Sequence, residues 1–203
     1  MDAENIQIKE LSIEDMANLY EPYLKEHFPA NELKKLEHMQ KMYTDGIYKG
    51  LGLYHEEELL AYAFYITIPC SSYALLDYYA VLKPYRSLGV GGIFLERLTD
   101  TWLADLASSG SPALDGVFLE VEDPAGTEDI SKKQIRQKRI DFYFAHHVVD
   151  TALYGKQFGV EYKILFLSNQ APPQDEVMVA KLWDLYHTVF SAETIEKDIS
   201  LWI

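Results

Sequence analysis

Leu75-Leu76-Asp77-Tyr78-Tyr79-Ala80-Val81-Leu82-Lys83-Pro84-Tyr85-Arg86-Ser87-Leu88-Gly89-Val90-Gly91-Gly92-Ile93-Phe94-Leu95 passes from a β-rich run, through a glycine-rich turn, into an amphipathic run. Tyr73 to Leu82 predicts a strand, and Leu95, Leu98, Trp102 and Leu106 recur at helical spacing after the glycines. The turn thus falls at a helix N-terminus, where several backbone N–H groups have no internal partner. The helix dipole adds partial positive charge there, and glycine lets the backbone approach an anion closely. Arg86 supplies a permanent charge and a planar donor fork. Together these features predict a site for a phosphate or a pyrophosphate.

Two common phosphate-binding patterns do not fit. A P-loop requires Lys and then Ser or Thr after its last glycine, whereas Gly91 is followed by Gly92 and Ile93. The dinucleotide fingerprint requires a third glycine where Phe94 stands, and it follows a first strand rather than lying mid-chain. What is present is Arg86-x-x-Gly89-x-Gly91, preceded by Val81-x-x-Pro84.

Working outward, Asn5 to Leu11 alternates as a strand, and Ser12 with Asp15 marks the start of a helix carrying Met16, Leu19, Tyr20, Tyr23 and Leu24. Pro29 interrupts, and Asn31 is the candidate cap of a second helix with Leu33, Leu36, Gln40 and Tyr43 on its face and Gly46 as its stop. Tyr48 to His55 and Leu59 to Ile68 form a hairpin across Glu56-Glu57-Glu58. Beyond the central turn, Ser108 to Pro112 closes the helix. Val117 to Val121 is a strand, Ser131 to Phe144 a helix, and Val148 to Tyr154 and Val160 to Leu167 are strands. Pro172-Pro173 opens a tail helix with Val179, Leu182, Trp183, Tyr186 and Phe190 on its face. Strands and helices in this order predict a mixed sheet covered by helices, in one domain over residues 1–203.

The chain of 203 residues is 48% hydrophobic and 13% aromatic, enough for a packed core rather than a disordered chain. No apolar run approaches the ~20 residues of a membrane helix, and Met1 to Glu10 is acidic and polar, unlike a signal peptide. The single cysteine, Cys70, cannot form an internal disulfide; a cytoplasmic protein is expected. A net charge of -14 disfavours nucleic acid and anionic membranes and attracts cations. No His-Glu-x-x-His or Cys-x-x-Cys pattern suggests a metal, and His146 and His147, being adjacent, point apart on a helix.

The run from Val81 and Pro84 through Arg86, Gly89 and Gly91 resembles the coenzyme A signature of the GNAT N-acetyltransferases, and the element order resembles that family over nearly the whole chain. The resemblance implies an α/β fold with a mixed, mostly antiparallel central sheet of about six to seven strands, flanked by helices, whose central strands splay apart. It implies acetyl-CoA as acyl donor, with Tyr79, Ala80 and Val81 contacting pantetheine and Arg86, Ser87, Leu88, Gly89, Val90, Gly91 and Gly92 holding the pyrophosphate. Arg139-Ile140-Asp141-Phe142-Tyr143 looks like the family's aromatic pair, which makes Tyr143 the candidate general acid for the departing thiolate. Phe144-Ala145-His146-His147 departs from the family, in which a short turn ending in Gly-Phe often follows that tyrosine.

The implied reaction needs a neutral amine, and so a base. Glu120 and Glu122 alternate with apolar residues on one strand face; Glu120 is the first candidate base, with Asp77 and Tyr78 behind it and an ion pair with Arg139 or a solvated edge position as its structural alternatives. The basic run Lys132, Lys133, Arg136, Lys138 and Arg139 reads first as a solvated helix face and second as a partner for the coenzyme's 3′-phosphate. The acceptor is expected to be a small-molecule or protein amine, with a non-catalytic acyl-CoA-binding regulatory module as the competing reading. Homodimerisation is common in the family, and the apolar tail with Leu201-Trp202-Ile203 is the candidate surface for it.

Overall fold

The computed structural model describes residues 5–69, 71–103 and 113–203. The expected helix end at Ser108 to Pro112 and the single cysteine, Cys70, lie outside them. The chain groups into two compact units: Met1–Pro69 with Leu76–Leu98, and Cys70–Leu75 with Thr99–Ile203.

The first unit is built on a meander. Strands β1 (Ile6–Glu10), β2 (Tyr48–His55), β3 (Glu58–Thr67) and β4 (Tyr73–Val81) follow one another in the sheet, with β1–β2 and β2–β3 antiparallel. Of β4, Leu76–Val81 belongs to this unit. Helix α1 (Ile13–Leu19) starts where the sequence places it. Asp15 N–H donates to Ser12 Oγ at 3.1 Å while Ser12 N–H donates to the Asp15 carboxylate at 2.8 Å, a reciprocal cap. A π-helical turn (Tyr20–Leu24) and a short α2 (Lys25–His27) continue it.

The next helix departs from expectation. Helix α3 spans Leu36–Thr44, capped at Lys35 without a side-chain bond, and Asn31 lies in a turn before it. Its buried residues are Met39 and Met42 rather than Gln40 and Tyr43. The reason lies in two tyrosines: the Glu32 and Lys34 carbonyls, which a helix from Asn31 would use as acceptors, accept instead from Tyr78 OH and Tyr20 OH at 2.9 and 2.8 Å. Pro29 C=O meanwhile closes a local turn, accepting from Glu32 and Leu33 N–H groups at 2.9 and 3.1 Å. A short turn from Lys83 to Tyr85 then leads to α4 (Val90–Leu103).

The second unit holds β5 (Gly116–Glu122), α5 (Ile130–Ala145), β6 (Val149–Gln157), β7 (Val160–Leu167), α6 (Asp175–Val189), α7 (Ala192–Asp198) and β8 (Ile199–Trp202). Its strands run β5-β7-β6-β8, and each neighbouring pair is antiparallel. The eight strands among the described residues exceed the six to seven expected because Ile199–Trp202 pairs with β6 from Tyr154 to Gln157. Phe158 and Gly159 both adopt positive φ, 49° and 85°, the two-residue turn whose twist suits a hairpin. No helix among the described residues is long and apolar enough to cross a membrane.

The beginning of β5 is packed too tightly to accept a side chain. A Cβ at Gly116 would lie 2.0 Å from the Phe166 ring, and Phe166 in turn contacts Phe118 and Tyr73 with ring centres 5.1 and 6.3 Å away. Gly116→Ala is expected to destabilise the protein by about 2–3 kcal/mol through overpacking, read as a lower urea midpoint at unchanged m-value. Ser12→Ala, which removes the cap of α1, is expected to cost about 1 kcal/mol in the same assay.

Candidate functional site

The strand-to-helix segment is a built turn. Arg86 is extended at φ -66° and ψ 149°, Ser87 is left-handed at φ 62°, and Gly89 is left-handed at φ 79°. The two left-handed residues turn the chain sharply before the helix begins. At the start of α4, Ile93 N–H donates to Gly89 C=O at 3.2 Å, so the amides of Val90, Gly91 and Gly92 belong to the open first turn. Ser87, Leu88 and Gly89 are exposed, and Leu88 presents 60% of its surface to solvent. Open space surrounds the position of a Cβ at Gly89, so its glycine answers to backbone conformation and not to crowding.

Two side chains brace this turn against β4. Tyr79 OH donates to Gly91 C=O, and its ring stacks on Phe94 with centres 5.3 Å apart and planes 17° from parallel. Arg86 Nε donates to Val81 C=O at 2.9 Å, and the arginine otherwise remains exposed over the turn. The fold therefore joins the end of β4 to the turn at two points, Tyr79 to Gly91 and Arg86 to Val81. The Tyr79 side chain, however, serves the turn itself.

In the second unit, Tyr143 sits in the C-terminal half of α5 and is 7% exposed. Burial pushes its phenol up to about 12, with the positive charge of Arg139 opposing the rise. It therefore keeps its proton at neutral pH and can donate it. The departure after Tyr143 has a clear structural role: Tyr143 C=O accepts from His146 and Val148 N–H groups at 3.0 and 3.2 Å, and His147 takes φ 64°. His147 thus adopts the left-handed helix-ending conformation usually given to glycine.

The two carboxylates of β5 have separate partners. Glu120 accepts from Tyr186 OH on α6 and from Gln157 Nε2 on β6, and Gln157 Nε2 also lies 3.1 Å from Tyr186 OH. Burial, followed by the charge of Glu120, holds the Tyr186 phenol well above its ordinary value. Arg139, considered above as a partner for Glu120, lies 3.4 Å from Glu122, and Arg136 also pairs with Glu122. Arg136 additionally donates to Asp123 C=O at 2.8 Å, so one member of the basic run is an interior brace and not a solvated charge. Sequence reasoning missed Gln157 altogether. It placed Tyr186 on a packing face, where its hydroxyl gave no sign of a carboxylate partner. Asp77, a secondary candidate base, is paired with Lys34 on the segment before α3. Among the described residues no group of His, Cys, Asp or Glu is arranged to hold a metal ion.

No protein-family model and no curated protein matches the sequence. Solved structures do match. A GNAT-family acetyltransferase chain from Bacteroides thetaiotaomicron superposes with a TM-score of 0.66 at 21% identity, over 92% of this chain and 99% of that one. The spermidine N-acetyltransferase of Vibrio cholerae, solved with CoA and spermine, superposes with a TM-score of 0.58 at 12% identity, over 81% and 95%. A ribosomal-protein alanine N-acetyltransferase from Escherichia coli gives 0.53 at 17% identity, over 84% and 97%. The chain has the fold of the GNAT acetyltransferases, as its glycine turn and element order imply.

The raised Tyr143 phenol has a measurable consequence for stability. Between its unfolded value of 10.0 and its folded value of about 12, the native chain holds a proton that the unfolded chain has lost. Stability present below pH 10 therefore falls as pH rises through this window. Tyr143→Phe is expected to remove about 1.4 kcal/mol per pH unit from that fall, read from urea midpoints at successive pH values.

Proposed function

We propose that this protein is an N-acetyltransferase that moves an acetyl group from acetyl-CoA to a primary amine by direct attack on the thioester, the whole chain, residues 1–203, working as one domain. The observation that carries the reading is the turn from Arg86 to Gly92, with Ser87 and Gly89 left-handed before the open amides of α4, in a chain of this fold. In this reading those amides and Arg86 hold the coenzyme pyrophosphate, and Tyr79, Ala80 and Val81 meet pantetheine. The Vibrio cholerae neighbour, which was solved with CoA and spermine bound, supports a coenzyme and an amine as the two ligands.

The chemistry follows from the groups available. The amine nitrogen attacks the thioester carbon, the C–S bond breaks, and the thiolate leaves with a proton from Tyr143. A phenol kept protonated by burial suits that role. Glu120 is the proposed acceptor of the amine proton. It already receives bonds from Tyr186 and Gln157, which favours relay through a water over direct contact. Those same bonds give weight to a second reading, a regulatory module that binds acyl-CoA without turnover, in which Glu120 is only a packing carboxylate.

Calorimetry with acetyl-CoA tests the coenzyme site. Arg86→Ala is expected to weaken binding by about tenfold to a hundredfold, the worth of a charged hydrogen bond. Gly89→Trp, which fills the turn, should weaken it at least as much. No binding to the native chain would overturn both readings. An amine panel followed by thiol release tests catalysis. Tyr143→Phe is expected to lower kcat by about a hundredfold or more, with acetyl-CoA affinity unchanged. Coenzyme binding without thiol release for any amine would leave the regulatory reading standing.

A further inference from the structure

Residues 28–35, between α2 and α3, are fastened to β4 by an internal cation. Lys34 Nζ lies 2.5 Å from Asp77 Oδ1. The other Asp77 oxygen accepts from Tyr48 OH at 2.6 Å. The Lys34 ammonium also stands 5.5 Å from the centre of the Tyr78 ring, and Phe28 closes edge-on against that ring at 4.7 Å. The backbone is tied in the same place: Tyr78 OH donates to Glu32 C=O at 2.9 Å and accepts from Lys34 N–H at 2.8 Å, and Tyr20 OH donates to Lys34 C=O at 2.8 Å. His38 on α3 lies within electrostatic reach of both Lys34 and Asp77.

These are the groups by which a protein recognises a primary alkylammonium, and here they hold the chain's own lysine. A carboxylate gives such a cation a charge-assisted hydrogen bond, and an aromatic face gives it the quadrupole's negative lobe. Asp77 is 10% exposed and Lys34 18%, so the site is nearly closed. A carboxylate so placed requires a cation beside it whatever the source of that cation. The ammonium arrives on a turn segment and not on a helix or strand. Segments held by few ladder bonds open at the low end of a protein's stability range.

We propose that Lys34 is an internal stand-in for an external primary alkylammonium: the ligand's ammonium replaces Lys34 on Asp77, and residues 28–35 are released as it enters. The acetyltransferase reading is needed only to call this ligand the acceptor; the binding site stands on its own geometry. Lys34 then acts as a tethered competitor, at the high effective concentration that a short tether confers. It sets which amines bind: those able to place an NH3 group on Asp77 against the Tyr78 ring. Quaternary ammonium ions, which have no N–H to give the carboxylate, are rejected.

The test uses n-butylammonium, which reproduces the lysine side chain, titrated calorimetrically into the full chain without coenzyme. Lys34→Met is expected to bind it at least tenfold more tightly than the native protein, because the competitor is gone. Asp77→Asn is expected to bind at least tenfold more weakly. Hydrogen exchange on the native protein gives a readout that needs no variant: the Lys34 amide and its neighbours from 30 to 35 should exchange faster at saturating probe. Equal or weaker binding by Lys34→Met, slower or unchanged exchange over that segment, or no binding by the native chain would each overturn the proposal and leave Lys34 a structural brace. If Lys34→Met does not fold, the native exchange result decides. Acetyl-CoA affinity measured on the same preparation separates the two questions, since its absence would defeat the acetyltransferase reading and leave this one intact.

Discussion

The turn between Leu82 and Val90 reconciles two opposed requirements. The backbone must leave a strand and enter a helix within a few residues, yet it must not satisfy the amides that open that helix. Left-handed conformations at Ser87 and Gly89 make the change of direction without using those N–H groups. Bonds to backbone carbonyls then fix the geometry from outside: Tyr79 to Gly91, and Arg86 to Val81. A turn fixed in this way needs little further ordering on binding, because its shape was set when the chain folded. The rest of the first unit serves it: the meander from β1 to β4 supplies a stiff strand to launch the turn, and the Tyr79–Phe94 stack seats the helix that receives it.

The interior carboxylates show how residues of one type acquire different work from their neighbours. Glu122 meets two arginines on α5, a salt bridge that locks helix to strand. Glu120, two residues earlier on the same strand, is held by a phenol on α6 and an amide on β6. Asp77 meets one lysine and one phenol. A phenol and an amide orient a carboxylate without adding positive charge, whereas a guanidinium orients it and offsets its charge at once. Two groups on one strand face are thereby held in different ways, and strand alternation alone does not reveal it.

The legible parts of the sequence were those with short-range causes. The Ser12-Asp15 cap, the β2–β3 hairpin and the glycine turn each rest on residues a few positions apart, and each lies where the pattern puts it. What the sequence hid was long-range. Nothing near Lys34 announces Asp77, 43 residues on, and nothing near Gln157 announces Glu120, 37 residues earlier. Helix α3 starts later than its cap signal suggests for the same long-range reason: Asn31 is a good cap, but the Glu32 and Lys34 carbonyls that such a helix would use accept instead from Tyr78 and Tyr20. Strand β8 was missed because Ile199–Trp202 is too short for alternation to stand out from an apolar tail. At His146-His147 the missing glycine marked a position where a non-glycine residue bears the left-handed conformation.

The tight seat of Gly116 against Phe166 also governs the order in which the chain acquires structure. The β2–β3 hairpin closes across Glu56-Glu57, so its strands meet almost as soon as they exist. Strand β5 has no such neighbour: its partner in the second unit is β7, and α5 and β6 lie between them in the chain. Register there runs from Val117 opposite Leu167 to Glu122 opposite Tyr162, and the missing Cβ at Gly116 admits the Phe166 ring in that alignment. Loop closure over such a span must precede any reward from the contact. During synthesis β5 therefore waits, apolar and unpaired on that side, until the ribosome has delivered β7. In that interval its apolar residues are open to a chaperone's grip.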